Sequence, residues 1–100
     1  MLKIKSFTFN PFQENTYIIF DDSKEAIAID PGNFEPHENE LISNYIDDKK
    51  LRLKKIILTH CHIDHCLGNK YLNEKYGAEL LIPFDEKHMY KNVENIAPLF

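Results

Sequence analysis

Three of the five histidines lie within six positions, in the segment Thr59-His60-Cys61-His62-Ile63-Asp64-His65-Cys66. In extended backbone, alternate side chains point to the same side and their Cα atoms are roughly 6.5–7 Å apart. His60 and His62 can therefore converge on one zinc ion, whose bonds to imidazole nitrogen are about 2.0–2.1 Å long. Asp64 and His65 offer a second position, because the chain turns there into the next predicted helix. The spacing predicts a metal site with these four ligands.

The two cysteines of the same segment allow a different metal site. Cys61 and Cys66 could join the histidines in a closed structural zinc site, which would make the chain a non-catalytic, zinc-stabilised module. Cys61 lies between His60 and His62 and points the opposite way in extended backbone, so a small buried side chain is the favoured interpretation. Two cysteines are too few for a disulfide framework, which indicates a reducing compartment, the cytoplasm.

Strand and helix patterns surround this segment on both sides. Residues 51–59 read as an interior strand, and residues 66–76 as a helix that ends at Gly77. The other predicted elements are strands over 2–9 (with a bulge near Ser6), 16–20, 26–30 and 79–82, and helices over 35–48 and 86–95. Three strands followed by alternating helix and strand predict an α/β fold, with a mixed sheet and flanking helices.

Three further positions attract attention. Asp30 ends a strand before Pro31-Gly32, and strand ends of α/β sheets are where ligands bind. Its carboxylate could accept a hydrogen bond from a ligand histidine, although a simple turn aspartate is the stronger interpretation on this residue alone. Gly32 is predicted to supply a positive φ. Gly68 costs about 1 kcal/mol relative to alanine in a helix, which indicates a close backbone approach there.

Composition narrows the class of protein. One hundred residues, 43% hydrophobic and 28% charged, predict a single globular domain. No apolar run approaches the roughly 20 residues of a membrane span. The net charge of −4, without a basic face in either half, argues against a nucleic-acid partner.

The histidine segment and its flanks match a known pattern. Together with Cys66-Leu67-Gly68-Asn69, it resembles the His-x-His-x-Asp-His signature of the metallo-β-lactamase superfamily. The segments 10–17 and Ile29-Asp30-Pro31-Gly32 look like the opening hairpins of its glyoxalase II-like (hydroxyacylglutathione hydrolase-like) branch. The resemblance implies an αββα sandwich built from two similar halves. Residues 1–100 correspond to the N-terminal half only, a partial metallo-β-lactamase fold.

The resemblance also implies roles for individual residues. His60 and His62 would bind the first metal, and Asp64 and His65 the second. Asp64 would additionally orient the nucleophile as a catalytic residue, and Asp30 would orient a ligand histidine. The remaining ligands would come from the second half. Zinc, two ions per full-length site, is the expected cofactor, with iron or manganese as alternatives. The implied reaction is attack of metal-bound hydroxide on a thioester or similar small ester.

Four ligands cannot complete two metal spheres, since catalytic zinc takes three protein ligands. We therefore expect this chain alone to be inactive and to bind metal weakly, as part of a longer hydrolase. A less favoured expectation is a homodimer in which each copy replaces the other's missing half. Two alternatives remain open: a mononuclear iron persulfide dioxygenase of the same fold, and the zinc-stabilised module.

Overall fold

The computed structural model describes residues 1–59 and 67–82. The predicted helix over 86–95 and the histidine segment from residue 60 onward lie outside this part of the chain. The described residues form five strands and two helices, which are β1 (Lys3–Phe9), β2 (Glu14–Phe20), β3 (Glu25–Ile29), α1 (Pro36–Asp48), β4 (Arg52–Ile57), α2 (Asn69–Tyr76) and β5 (Glu79–Leu81). None of the described helices is long and apolar enough to cross a membrane.

The strands form one mixed sheet in the order β1-β2-β3-β4-β5. The pairs β1–β2 and β2–β3 are antiparallel, whereas β3–β4 and β4–β5 are parallel. Helix α1 connects β3 to β4, as a parallel pair requires. The carboxyl ends of β3 and β4 consequently lie at the same edge of the sheet, and Asp30 and Thr59 follow them there. The predicted α/β fold with a mixed sheet is confirmed.

The predicted bulge near Ser6 is wrong. Strand β1 pairs with β2 without interruption, from Lys3 opposite Phe20 to Phe9 opposite Glu14. The change in hydrophobic parity arises because β1 carries apolar residues on both faces. Phe7 and Phe9 face the core, while Leu2 and Ile4, 65% and 63% exposed, belong to the other face. The irregularity in the sheet lies elsewhere, between Ala26 and Ile27 of β3, where the register to β4 shifts.

Both helices contribute to one core against the sheet. Helix α1 begins with a capping box between Glu35 and Glu38, and Pro36 occupies its first turn. Four residues apart on α1, Ile42 and Ile46 are fully buried. The rest of the buried apolar cluster comes from the strands, from α2 and from two connecting residues: Phe9, Ile18, Phe20, Ala26, Ala28, Leu51, Leu53, Ile56, Leu72 and Ala78.

The two helices are also joined by a polar contact. The Tyr76 hydroxyl of α2 lies 3.0 Å from Asp47 Oδ1 and 3.3 Å from the backbone oxygen of Ser43, both in α1. Burial, reinforced by the hydrogen bond to Asp47, raises the pKa of Tyr76 well above its ordinary value near 10. The phenol therefore stays neutral and able to donate at every physiological pH.

Replacing Tyr76 by phenylalanine should lower the free energy of unfolding by about 1 kcal/mol at pH 7, the usual net value of one hydrogen bond. Folding raises the pKa of Tyr76. The contribution of its hydroxyl to the free energy of unfolding is therefore complete below about pH 10 and is lost as the pH rises further. The free energy of unfolding, measured in urea, should consequently change less between pH 9 and 11 in the variant than in the unaltered protein. Tyr71→Phe is the control, since the Tyr71 hydroxyl makes no hydrogen bond within the described residues; equal losses in both variants would contradict the assignment.

Candidate metal centre

The four predicted metal ligands, His60, His62, Asp64 and His65, lie outside the described residues, as do Cys61 and Cys66. Their coordination of metal therefore stays a prediction. The residues that flank them, Thr59 before and Leu67-Gly68 after, are described. The position of the segment's two ends is consequently known from the contacts of these neighbours.

The N-terminal end of the segment is attached to Asp30. The Thr59 backbone N–H donates to Asp30 Oδ1 at 2.7 Å, and the Thr59 hydroxyl donates to Asp30 Oδ2 at 2.6 Å. Asp30 is only 5% exposed, whereas Thr59 is exposed, so both hydrogen bonds are partly buried. Asp30 directly follows β3, as predicted, and it contacts Thr59, the residue that precedes His60. Its predicted hydrogen bond to a ligand histidine involves residues outside the described part.

The backbone conformation at this turn differs from the prediction. Asp30 has φ 52°, whereas Gly32, the predicted site of positive φ, does not; among the described glycines only Gly77 has one, 68°. Aspartate adopts this left-handed region more readily than most residues, so no glycine is required at position 30. Three hydrogen bonds hold the turn: Asp30 N–H to Ile57 O at 2.9 Å, Thr16 Oγ1 to Asp30 O at 2.9 Å, and Gly32 N–H to Thr16 Oγ1 at 2.9 Å.

The C-terminal end of the segment is attached to the same loop. The Gly68 N–H donates to Pro31 O at 2.8 Å. A Cβ on Gly68 would lie 1.9 Å from Asn33 Oδ1, which confirms the close approach predicted there. Helix α2 begins at Asn69 with Gly68 as its N-cap, three residues later than predicted. Its predicted end at Gly77, in the left-handed conformation, is confirmed.

Residues 30–33, which we call the 30–33 loop, thus hold both ends of the histidine segment. Asp30 binds Thr59, and Pro31 and Asn33 contact Gly68. Eight residues, 60–67, connect Thr59 to Gly68, and they include all four predicted ligands.

Two residues that support this loop were missed by the sequence analysis. Glu38, 8% exposed, accepts hydrogen bonds from the N–H groups of Asn10 at 2.7 Å, Phe34 at 2.9 Å and Glu35 at 3.1 Å. It therefore joins the β1–β2 loop to the start of α1. The available signal was the Glu35-x-x-Glu38 spacing around Pro36, a capping-box pattern. Asn10 also donates from Nδ2 to Gly32 O at 3.0 Å, for which the sequence offered no signal.

The donor chemistry of the predicted ligands fits a divalent metal. Imidazole nitrogen and carboxylate oxygen suit zinc, and also iron or manganese. The buried Asp30 carboxylate next to Thr59 adds negative charge that favours a nearby cation. Residues 1–59 and 67–82 contain no group of three or more His, Cys, Asp or Glu side chains able to hold a metal. The prediction of a metal site therefore rests on the sequence of the histidine segment.

The alignments with curated relatives cover most of this chain but only a small part of each relative. A hydroxyacylglutathione hydrolase from Pelagibacter ubique is 44% identical over 71 residues, 69% of this chain and 28% of the relative. Hydroxyacylglutathione hydrolase 1 from Vibrio vulnificus is 47% identical over 68 residues, 67% of this chain and 25% of the relative. The chain thus spans little more than a quarter of the length of these proteins.

A solved structure leads to the same fold and the same family. The crystal structure of the BLEG-1 B3 metallo-beta-lactamase superposes with a TM-score of 0.78 at 26% identity, over 87% of this chain and 40% of that one. Residues 9–95 match the Metallo-beta-lactamase superfamily. With that match covering most of its length, the chain belongs to the metallo-beta-lactamase superfamily.

Proposed function

We propose that this chain is the N-terminal portion of a metal-dependent hydrolase that cleaves a thioester or a similar small ester. The observation that carries the proposal is the attachment of both ends of the histidine segment to the 30–33 loop. Its support from relatives is the 44% and 47% identity to proteins named hydroxyacylglutathione hydrolase. We further propose that the protein works in the cytoplasm on a small molecule, which agrees with its sparse cysteines.

Membership of the superfamily implies bound metal ions, typically zinc. We assign His60 and His62 to the first metal and Asp64 and His65 to the second. A bound zinc ion would lower the pKa of a water molecule to about 7 and so provide a nucleophile at neutral pH. Asp64 would orient that nucleophile as well as bind metal. Iron and manganese remain compatible with the same donors.

Asp30 and Thr59 supply the support that such a site needs. The Asp30 carboxylate fixes Thr59 through two hydrogen bonds and thereby sets the direction in which the chain enters His60. A buried carboxylate next to a ligand histidine can also accept the free N–H of that imidazole, which fixes its tautomer and orientation. Asp30 is held in turn by two hydrogen bonds. Its backbone N–H donates to Ile57 O, and the Thr16 hydroxyl donates to Asp30 O. The ligands would be positioned before metal binds.

The rest of the metal ligands would lie in a part of the protein beyond these 100 residues. Two imidazoles fall short of the three protein ligands that catalytic zinc takes. We therefore expect the 100-residue chain by itself to bind zinc weakly and to lack hydrolase activity. The longer protein that carries it should bind two metal ions.

The test compares the longer protein with the 100-residue chain. Both are measured for zinc by elemental analysis, for mass by light scattering and for hydrolysis of an acylglutathione thioester. We expect about two zinc ions and thioester hydrolysis in the longer protein, and neither in the shorter one. Oxygen uptake with a persulfide and one iron per chain, without thioester hydrolysis, would contradict the proposal. One tight zinc ion on a monomeric 100-residue chain, with protected thiols, would identify a structural zinc site instead.

A further inference from the structure

Asn33 lies between helix α1 and Gly68, the N-cap of α2. It is only 1% exposed, and its Nδ2 donates to Asn39 Oδ1 of α1 at 2.6 Å. Its side chain fills the space next to Gly68: a Cβ there would lie 1.9 Å from Asn33 Oδ1, 2.4 Å from Cγ and 2.8 Å from Nδ2. Real Cβ atoms essentially never approach other atoms this closely. Asn33 thus occupies the position that any side chain at residue 68 would need.

The contact is fixed from both sides. Asn33 cannot easily withdraw, since it is buried and bonded to Asn39. Gly68 cannot easily withdraw either, because its N–H is bonded to Pro31 O. Within the described part of the chain, Asn33 Oδ1 has no hydrogen-bond partner, and it is the atom that a Cβ on Gly68 would approach most closely. Burying an oxygen in this way costs free energy. A side chain retained at such a cost points to a role in placing its neighbour.

We propose that Asn33 is a positioning residue for the predicted metal ligands. By its bond to Asn39 and its contact with Gly68, it sets how far the start of α2 lies from Asp30. It thereby sets the separation of the two ends of the histidine segment. The proposal rests on the proposed function, because the segment matters through the metal it binds. It also connects α1 to the metal site, although α1 carries none of the predicted ligands.

The test is a double-mutant cycle with a matched glycine control, made in the longer protein. Gly68→Ala introduces a methyl group into Asn33. Asn33→Ala removes the obstacle, and the double variant combines both changes. Gly77→Ala is the control: it lies at the other end of α2, where a Cβ meets nothing within 4 Å and only the positive φ is strained. Gly77→Ala should lower Tm without affecting the metal site.

Two readouts are measured on each variant. Zinc affinity, by competition with a chromophoric chelator, should fall roughly 10- to 100-fold in Gly68→Ala, the range typical for residues that orient metal ligands. Amide hydrogen exchange at residue 68, measured without metal, should accelerate about tenfold or more as its bond to Pro31 O weakens. The double variant should be less impaired than Gly68→Ala in both readouts, because the space left by Asn33 accepts the new methyl group. Like Asn33→Ala alone, it should stay below the unaltered protein, because the contact of Asn33 with Gly68 is lost. Gly77→Ala should match the unaltered protein in zinc affinity.

Several outcomes would overturn the positioning role. Unchanged zinc affinity in Gly68→Ala would do so, as would a double variant no better than Gly68→Ala. Equal loss of affinity in Gly77→Ala would mean that any destabilisation of α2 has the same effect. Failure of the proposed function appears differently, as absence of zinc binding by the unaltered protein. In that case the exchange measurement still decides whether Asn33 holds Gly68 in place.

Discussion

We expect the His62→Ala variant of the longer protein to lose more than roughly 100-fold in hydrolase activity. Replacing a residue that only hydrogen-bonds to a metal ligand typically costs roughly 10- to 100-fold, and loss of a ligand itself should cost more. The first metal would keep only His60 from this chain, one short of the pair that the His60-x-His62 spacing provides. Fewer ligands weaken metal binding, and the nucleophile depends on the metal for its low pKa. Zinc content and thioester hydrolysis, measured on the same preparation, should therefore fall together.

A control histidine is available in the same chain. His37 lies exposed on α1 and outside the histidine segment, and its replacement by alanine should leave zinc content and activity unchanged. Restoring zinc to excess should partly rescue His62→Ala if weak binding is the cause. Full activity of His62→Ala at normal zinc content would exclude His62 as a ligand. Equal effects of the two substitutions would point to a general loss of structure.

Replacing Glu38 by alanine should lower the free energy of unfolding by at least about 3 kcal/mol, because three N–H groups lose a charged acceptor and each such hydrogen bond contributes about 1.5–3 kcal/mol. Two of these donors, the N–H groups of Phe34 and Glu35, come immediately before α1, and the third belongs to Asn10 of the β1–β2 loop. Urea unfolding followed by circular dichroism measures the loss. The stability of Glu38→Gln should lie between that of Glu38→Ala and that of the unaltered protein, since the glutamine amide nitrogen cannot accept a hydrogen bond.

Glu40→Ala provides the comparison for this prediction. Glu40 lies on the same helix and is exposed, so its loss should change the unfolding free energy by no more than about 0.5 kcal/mol, as is usual for surface substitutions. A Glu38→Ala variant as stable as Glu40→Ala would show that water replaces the lost acceptor. The capping box would then be dispensable.

The order of the strands and helices, and most of their bounds, could be predicted from local patterns. The apolar run in β4 and the glycine at the end of α2 are signals that neighbours in sequence carry. The close approach at Gly68 could be inferred because a glycine near a helix start is costly. The partner in that approach, Asn33, could not be inferred, since 35 residues separate the two and no spacing rule connects them.

The errors have the same origin. A bulge at Ser6 was the local explanation for apolar residues of both parities, but β1 carries apolar side chains on both faces. A positive φ was assigned to Gly32 from residue type, whereas hydrogen bonds from Thr16 and to Ile57 O hold Asp30 in that conformation. Both corrections come from contacts across the sheet. The predicted roles of His60, His62, Asp64 and His65 remain to be tested.

The parallel pairing of β3 with β4 has a consequence for the folding pathway. The β1–β2–β3 meander needs only local contacts, but Asp30 meets Thr59 across 29 residues of chain that include α1. Closing such a loop is slower than forming a hairpin, so the contact between Asp30 and Thr59 forms late in folding. An ion that binds only the completed arrangement stabilises the native state and not the transition state. Such an ion should slow unfolding and leave the folding rate nearly unchanged.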